Sequence, residues 1–196
     1  RERSDVQFNP RHRFFAQTVW EIPVGSGRHF LNRGGPVNWI LGGWQLTALY
    51  TAQTGEYLTP SFSGSDPSNT NTIGGIPDRA GNGNLPSSQR SMGRWFDATA
   101  FTVPPANSAR FGNSGKGIIR GPGRQVMNAG LFKTIKPLER MSLRFQATYQ
   151  NIFNHPNPGN PNLNISTPAA VGTITSMGSR EGSGPRYGLL GIFLDF

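Results

Sequence analysis

The chain has 196 residues, a net charge of +9 carried mostly by arginine, 26 Gly, 16 Pro and only 35% hydrophobic residues. No cysteine is present, which excludes a disulfide framework and thiolate metal sites, and no run of eighteen apolar residues exists, which excludes a transmembrane helix. The basic residues are scattered rather than clustered on one element, so they read as a solvated arginine surface, and no nucleic-acid partner is expected.

The N-terminal Arg-Glu-Arg-Ser-Asp shows neither Met nor a signal-peptide pattern, and the chain is expected to be cut from something longer. The first patterned stretch is HRFFAQTVWEIPVG. It places Phe14, Ala16, Thr18, Trp20 and Ile22 in one phase and Arg13, Gln17 and Glu21 in the other. Successive side chains of a strand point to opposite faces, so a period of two predicts a strand over 12–23 with one apolar and one wet face.

The second stretch, ILGGWQLTALYTAQTG, predicts a strand over 40–54. Ile40, Trp44, Leu46, Ala48 and Tyr50 share one face, and Gln45, Thr47, Thr51 and Gln53 the other. A third strand, 125–135, alternates less cleanly, because Asn128 and Lys133 fall on opposite faces. The fourth, over 141–153, sets Met141, Leu143, Phe145, Ala147, Tyr149 and Phe153 against Ser142, Arg144, Gln146, Thr148 and Gln150, and stops at Asn154, Pro156 and Pro158. YGLLGIFLDF closes the chain as a fifth strand over 187–195, with Leu190, Ile192, Leu194 and Phe196 in phase.

The links between these strands alternate in length. Those at 24–39 and at 136–140, where KPLE reads as a tight turn, are short. Those at 56–124 and 154–186 are long and crowded with Gly, Pro, Asn and Ser. In an antiparallel meander every short link falls at one end and every long one at the other, as in outer-membrane barrels with short periplasmic turns and long extracellular loops. A soluble sandwich also alternates, but the strands here match the roughly 9–11 residues that cross a bilayer at a tilt. Phe14, Trp20, Trp44 and Phe153 lie near strand ends, where an interfacial girdle places aromatics. The fold class is therefore all-β: an antiparallel meander of long amphipathic strands, outer-membrane-barrel-like. Residues 1–196 are expected to form one β-structural unit, a partial barrel, with 56–124 and 154–186 as long loops within it.

Six segments carry a family likeness: HRFFAQTVWEIPVG, LGGWQLTALYTAQTGEYLTP, RWFDATAFTVP, RFGNSGKGIIRGPG, LRFQATYQNIFNHPNPGNP and the final LLGIFLDF. In this order they resemble the C-terminal end of TonB-dependent outer-membrane receptors, particularly the Oar-like branch common in Acidobacteria. The resemblance implies a strand-borne signal for the barrel-assembly machinery at Tyr187, Leu190, Ile192, Leu194 and Phe196. A full barrel of that family has about 22 strands and a plugged lumen. Five are read here, more if the long loop holds a hairpin, and a plug domain, a TonB box and a carboxypeptidase-like N-terminal domain do not occur in these residues.

No catalytic constellation emerges, and the chain is read as no enzyme. His12, His29 and His155 are far apart in sequence, and His155 in FNHPN reads as a loop residue making local hydrogen bonds. SGSDPSNTNTIGG, within 61–78, offers the oxygen ligands that calcium takes. Asp66 and Asp78 are nevertheless far apart and no EF-hand spacing is present, so no cofactor is assigned. GNSGKGIIRGPGR lacks the Gly-Lys-Ser/Thr ending of a phosphate loop and reads as a Gly-rich turn. Trp95, Phe96 and Phe101 in RWFDATAF have the faces to stack on a sugar or peptide, but pinning the long loop against the sheet is the expected role.

Two function classes follow. In the first, the chain is the wall of an outer-membrane transporter. Arg13, Gln17, Glu21, Gln45, Arg144 and Gln146 then face a wet lumen, while Trp20, Trp44, Leu46, Tyr50, Leu143, Phe145 and Tyr149 face lipid. Its partners are membrane lipid and the rest of the receptor chain. In the second, the same apolar residues meet another protein layer in an extracellular filament or ring, in which copies pair through their open strand edges.

Overall fold

A computed structural model describes residues 9–32, 34–138 and 140–196. In chain order the elements are β1 (Arg13–Glu21), α1 (Pro36–Leu41), β2 (Trp44–Gln53), β3 (Tyr57–Leu58), β4 (Asp78–Arg79), β5 (Phe101–Thr102), β6 (Ile119–Arg120), β7 (Arg124–Leu138), β8 (Met141–Gln150) and β9 (Tyr187–Asp195). The chain divides into two compact units, one built mainly from 53–124 and 157–178, the other from 14–52, 125–156 and 179–196.

The second unit is a five-stranded sheet in the order β1-β2-β7-β8-β9. Neighbours run antiparallel. Ile22 N–H donates to Trp44 O and Thr54 N–H to His12 O, which fixes β1 against β2; Thr134 N–H donates to Gly43 O, and Thr47 Oγ1 to Gly130 O, which fixes β2 against β7. Phe145 then opposes Lys133 on β7 and Ile192 on β9. The five strands expected from alternation thus pair in sequence order, and the long connections all leave from one end of them.

Several boundaries differ from the sequence reading, each for a local reason. The stretch before β2 is not strand: Pro36 opens a six-residue helix, Gly42 N–H closes it on Asn38 O, and Gly43 at φ +71° turns the chain into Trp44. Ile40, read as part of the second strand, sits in this helix. β7 runs on through Pro137 to Leu138 with a register shift after Ile135, so the expected KPLE turn shrinks; Glu139 lies outside the described residues. A proline is tolerated where the ladder is already irregular. β8 stops at Gln150, and Phe153, expected in phase with its apolar face, stands 74% exposed in the loop beyond.

The first unit holds the long connections, which fold together rather than dangling. β3 pairs with β6 and β4 with β5, both antiparallel, in place of the hairpin considered from the sequence. Leu58, Phe96, Ala100, Phe101 and Ile119 form its buried core, with Leu163, Ile165 and Val171 of the second long connection packed against it. Backbone bonds from Trp95 to Gly172, Ile174 to Met92 and Ser61 to Leu163 stitch the two connections. Gly55 is needed here because a Cβ would strike the carbonyl of Gly121. Phe96 and Phe101 were expected to pin the loop against the sheet; instead they are buried in the core of the loop unit itself, where they hold the two long connections together, and their burial leaves no ring face for a sugar or peptide.

Candidate functional site

The feature with functional content in the sheet is its two-sidedness. Directly opposed residues of antiparallel strands project to the same face. The pairings above therefore place Phe14, Ala16, Thr18, Trp20 and Ile22 of β1 and its extension beside Trp44, Leu46, Ala48 and Tyr50 of β2. The same face continues through Met127, Ala129, Leu131 and Ile135 of β7, Leu143, Phe145, Ala147 and Tyr149 of β8, and Leu190, Ile192 and Leu194 of β9. The Phe14 and Tyr50 rings, with centroids 6.2 Å apart, tie the first two strands together on it. Many of these side chains are open: Leu190 is 76% and Ile192 69% exposed.

Gly188 also lies on this face, opposite Tyr149, and a Cβ there would come within 2.7 Å of the Tyr149 ring; the ring covers the glycine. Lys133 is the one charge among these β7 positions. It is buried, at 6% exposed, because its Nζ donates to the Ile40 and Gly42 carbonyls at 2.9 and 2.6 Å and sits 4.7 Å from the centre of the Trp44 ring. Cation–π attraction and two carbonyl acceptors replace the water it gave up.

The opposite face carries every residue expected on the wet side: Arg13, Gln17, Glu21, Gln45, Arg144 and Gln146. A depression on it is lined by the amides and hydroxyls of Gln17, Thr47, Asn128, Thr148 and Gln150 together with Leu49, and carries no charge. The face is not uniformly polar. Phe132, Leu189 and Phe193 share it, and the Arg144 guanidinium lies 4.9 Å from the centre of the opposed Phe193 ring. Tyr187, grouped by the family likeness with Leu190, Ile192, Leu194 and Phe196, is on this polar face opposite Gln150, while Leu190, Ile192 and Leu194 are on the apolar one.

Among the residues singled out for chemistry, His155 makes the expected local bonds, its N–H donating to Asn151 Oδ1 and its carbonyl accepting from Asn151 Nδ2. Asp66 accepts from Ser68 Oγ at 2.6 Å, and Asp78 forms a bidentate pair with Arg110, both bonds 2.7 Å. Each carboxylate thus already has a partner inside the loop. These contacts hold both carboxyls below the usual range, chiefly through the bond from Ser68 for Asp66 and from Arg110 for Asp78. In GNSGKGIIRGPGR, Ile119 is core and pairs with Leu58, and Gly117 N–H donates to Thr59 Oγ1.

Asn151 was missed by sequence reasoning. It is buried in the left-handed region (φ 47°), its Nδ2 donates to the His155 and Gly184 carbonyls, and its N–H donates to Asn128 Oδ1. An Asn at the point where alternation stops was the available signal, since Asn tolerates that conformation.

A largely apolar face on one side of long antiparallel strands, with a mixed face that holds the amides and nearly all the charges on the other, defines a membrane β-barrel wall. Residues 1–187 match the family described as outer membrane beta barrel domain, and the chain belongs to that family. Its location is the bacterial outer membrane. No characterised protein and no solved structure matches the chain.

Proposed function

We propose that the chain is the C-terminal barrel segment of a TonB-dependent receptor, supplying wall strands and extracellular loops, with no catalysis of its own. The observation that carries this reading is the sheet itself: five strands expose one largely apolar face, and among the described residues β1 and β9 each have a single neighbour. Five strands are too few for a wide barrel, so the wall continues in other strands. The resemblance of the six ordered segments to Oar-like receptors supports a TonB-dependent receptor as that barrel. In this reading Arg13, Gln17, Glu21, Gln45, Arg144 and Gln146 face the lumen. Trp20, Trp44, Leu46, Tyr50, Leu143, Phe145 and Tyr149 face lipid, and Leu190, Ile192, Leu194 and Phe196 present the assembly signal. Detection in outer membranes with an antibody to the loop unit tests it. The expected species needs detergent for extraction, is much larger than 21.3 kDa, and loses uptake when TonB is deleted. A 21.3 kDa species soluble without detergent would overturn the reading.

The open edges favour one second reading, a self-assembling extracellular β-protein. Unpaired strand edges template further strands, and past Arg186 the chain carries no Pro or Lys and one charge, Asp195.

A further inference from the structure

The link between β1 and β2 does more than reverse the chain. Helix α1 leaves Val37, Trp39, Ile40 and Leu41 exposed, Ile40 at 68%, and Phe30 and Leu31 of the same link are exposed beside them in sequence. A six-residue helix with no buried residue has no reason of its own to persist. What fixes it is the sheet: Lys133 Nζ and Trp44 Nε1 both bond the Ile40 carbonyl, and Lys133 also bonds that of Gly42. Lys133 and Trp44 belong to the apolar face, so the C-terminal end of the helix is fastened on that face and not on the polar one.

The position along the strands is equally defined. The helix lies in the link joining the end of β1 to the start of β2, the end at which β7 also turns into β8, and short links mark the periplasmic end of a barrel. We infer that α1 is an interfacial anchor that lies in the phospholipid leaflet on the short-turn side, its exposed apolar side chains among the acyl chains next to the headgroups. The inference rests on the barrel reading. The occupant is lipid because the exposed helix residues continue the face that meets lipid, without a polar gap between Ile40 and Trp44 other than two glycines. A Trp at this level has an apolar body and a polar tip, which suits the boundary. The buried lysine acts as the rivet: its cation joins Trp44 on the Ile40 carbonyl and pairs that of Gly42, so the helix C-terminal end does not enter lipid with its carbonyls open.

The 196 residues hold no cysteine, so one introduced cysteine gives one label site in this chain. Nitroxides placed by Ile40→Cys, Leu190→Cys and Gln17→Cys in the membrane-inserted protein, purified into phosphatidylethanolamine–phosphatidylglycerol vesicles, report collision with oxygen and with a water-soluble nickel chelate. The Ile40 label is expected to show a several-fold higher oxygen-to-nickel ratio than the Gln17 label, at a depth of about 5–10 Å, with Leu190 deeper. Val37→Cys repeats the measurement should the Ile40 variant fail to insert. An Ile40 label open to nickel, or shielded from both reagents by protein, while Leu190 is in lipid overturns the anchor and leaves the barrel standing. Aqueous labels at both positions overturn the barrel reading itself.

Discussion

Asn151 shows how one residue can end a strand. Its side chain bonds two carbonyls and accepts one N–H, and its own N–H is taken by Asn128. Replacing it with Ala leaves buried peptide groups unpaired and puts a Cβ without a hydrogen-bonding side chain at positive φ. Each unpaired group costs about 1–3 kcal/mol, so Asn151→Ala is expected to destabilise the sheet unit by about 2–4 kcal/mol, read as a lowered urea midpoint in detergent. Asn151→Gly keeps the backbone and should recover only part. Gly184 and Asn128 lie 33 and 23 positions away, so no local window of the sequence reveals the hub. Lys133 is a second case: it looked like a flaw in the alternation because its acceptors, the carbonyls of Ile40 and Gly42, come from another element. Asp78 makes the pH case. Arg110 depresses its carboxyl pKa in the folded loop unit, so between that value and the unfolded value of about 3.9 the unfolded chain binds more protons. The contribution is fully present above the unfolded pKa and is lost as pH falls through the folded one. Acid titration of the loop unit's unfolding should therefore show a stability loss below about pH 4 that Asp78→Asn makes smaller, Asp66 and Asp97 supplying the rest; an unchanged acid limb would disprove the pairing's role.

At the scale of the element, strand β8 was legible because period two is a local property, and its register followed once β7 and β9 were laid beside it. Helix α1 was not, because ILGG continues the apolar count into Trp44 and only the positive φ of Gly43 separates the two. A face argument makes a sharp prediction on β8. Phe145 points to the apolar face and its neighbour Gln146 to the polar one. Arginine on a lipid face at mid-membrane costs roughly 2–4 kcal/mol, so Phe145→Arg should lower the yield of heat-modifiable, folded barrel in outer membranes while Gln146→Arg leaves it near wild type. Equal yields for the two would mean that the faces are not lipid and lumen.

For the whole molecule, the parity of link lengths was enough to order the strands, but it said nothing of how the long links pack on themselves. Their core joins Leu58, Phe96 and Ile119 to Leu163 and Val171, a long-range arrangement that no periodicity encodes. The edges of β1 and β9 carry backbone groups that need partners as much as any buried side chain does. A barrel wall supplies them from other strands of the same protein, whereas self-assembly brings β9 of one copy against β1 of the next, a head-to-tail contact that repeats as a filament or closes as a ring. Thr18 and Leu190 are mid-strand and share the apolar face, so Thr18→Cys with Leu190→Cys places one thiol on each free edge. On oxidation of the doubly substituted protein in the outer membrane, the barrel wall predicts no disulfide-linked series on a non-reducing gel. A ladder of covalent multimers rising with concentration would place copies edge to edge and transfer the case to the assembly reading.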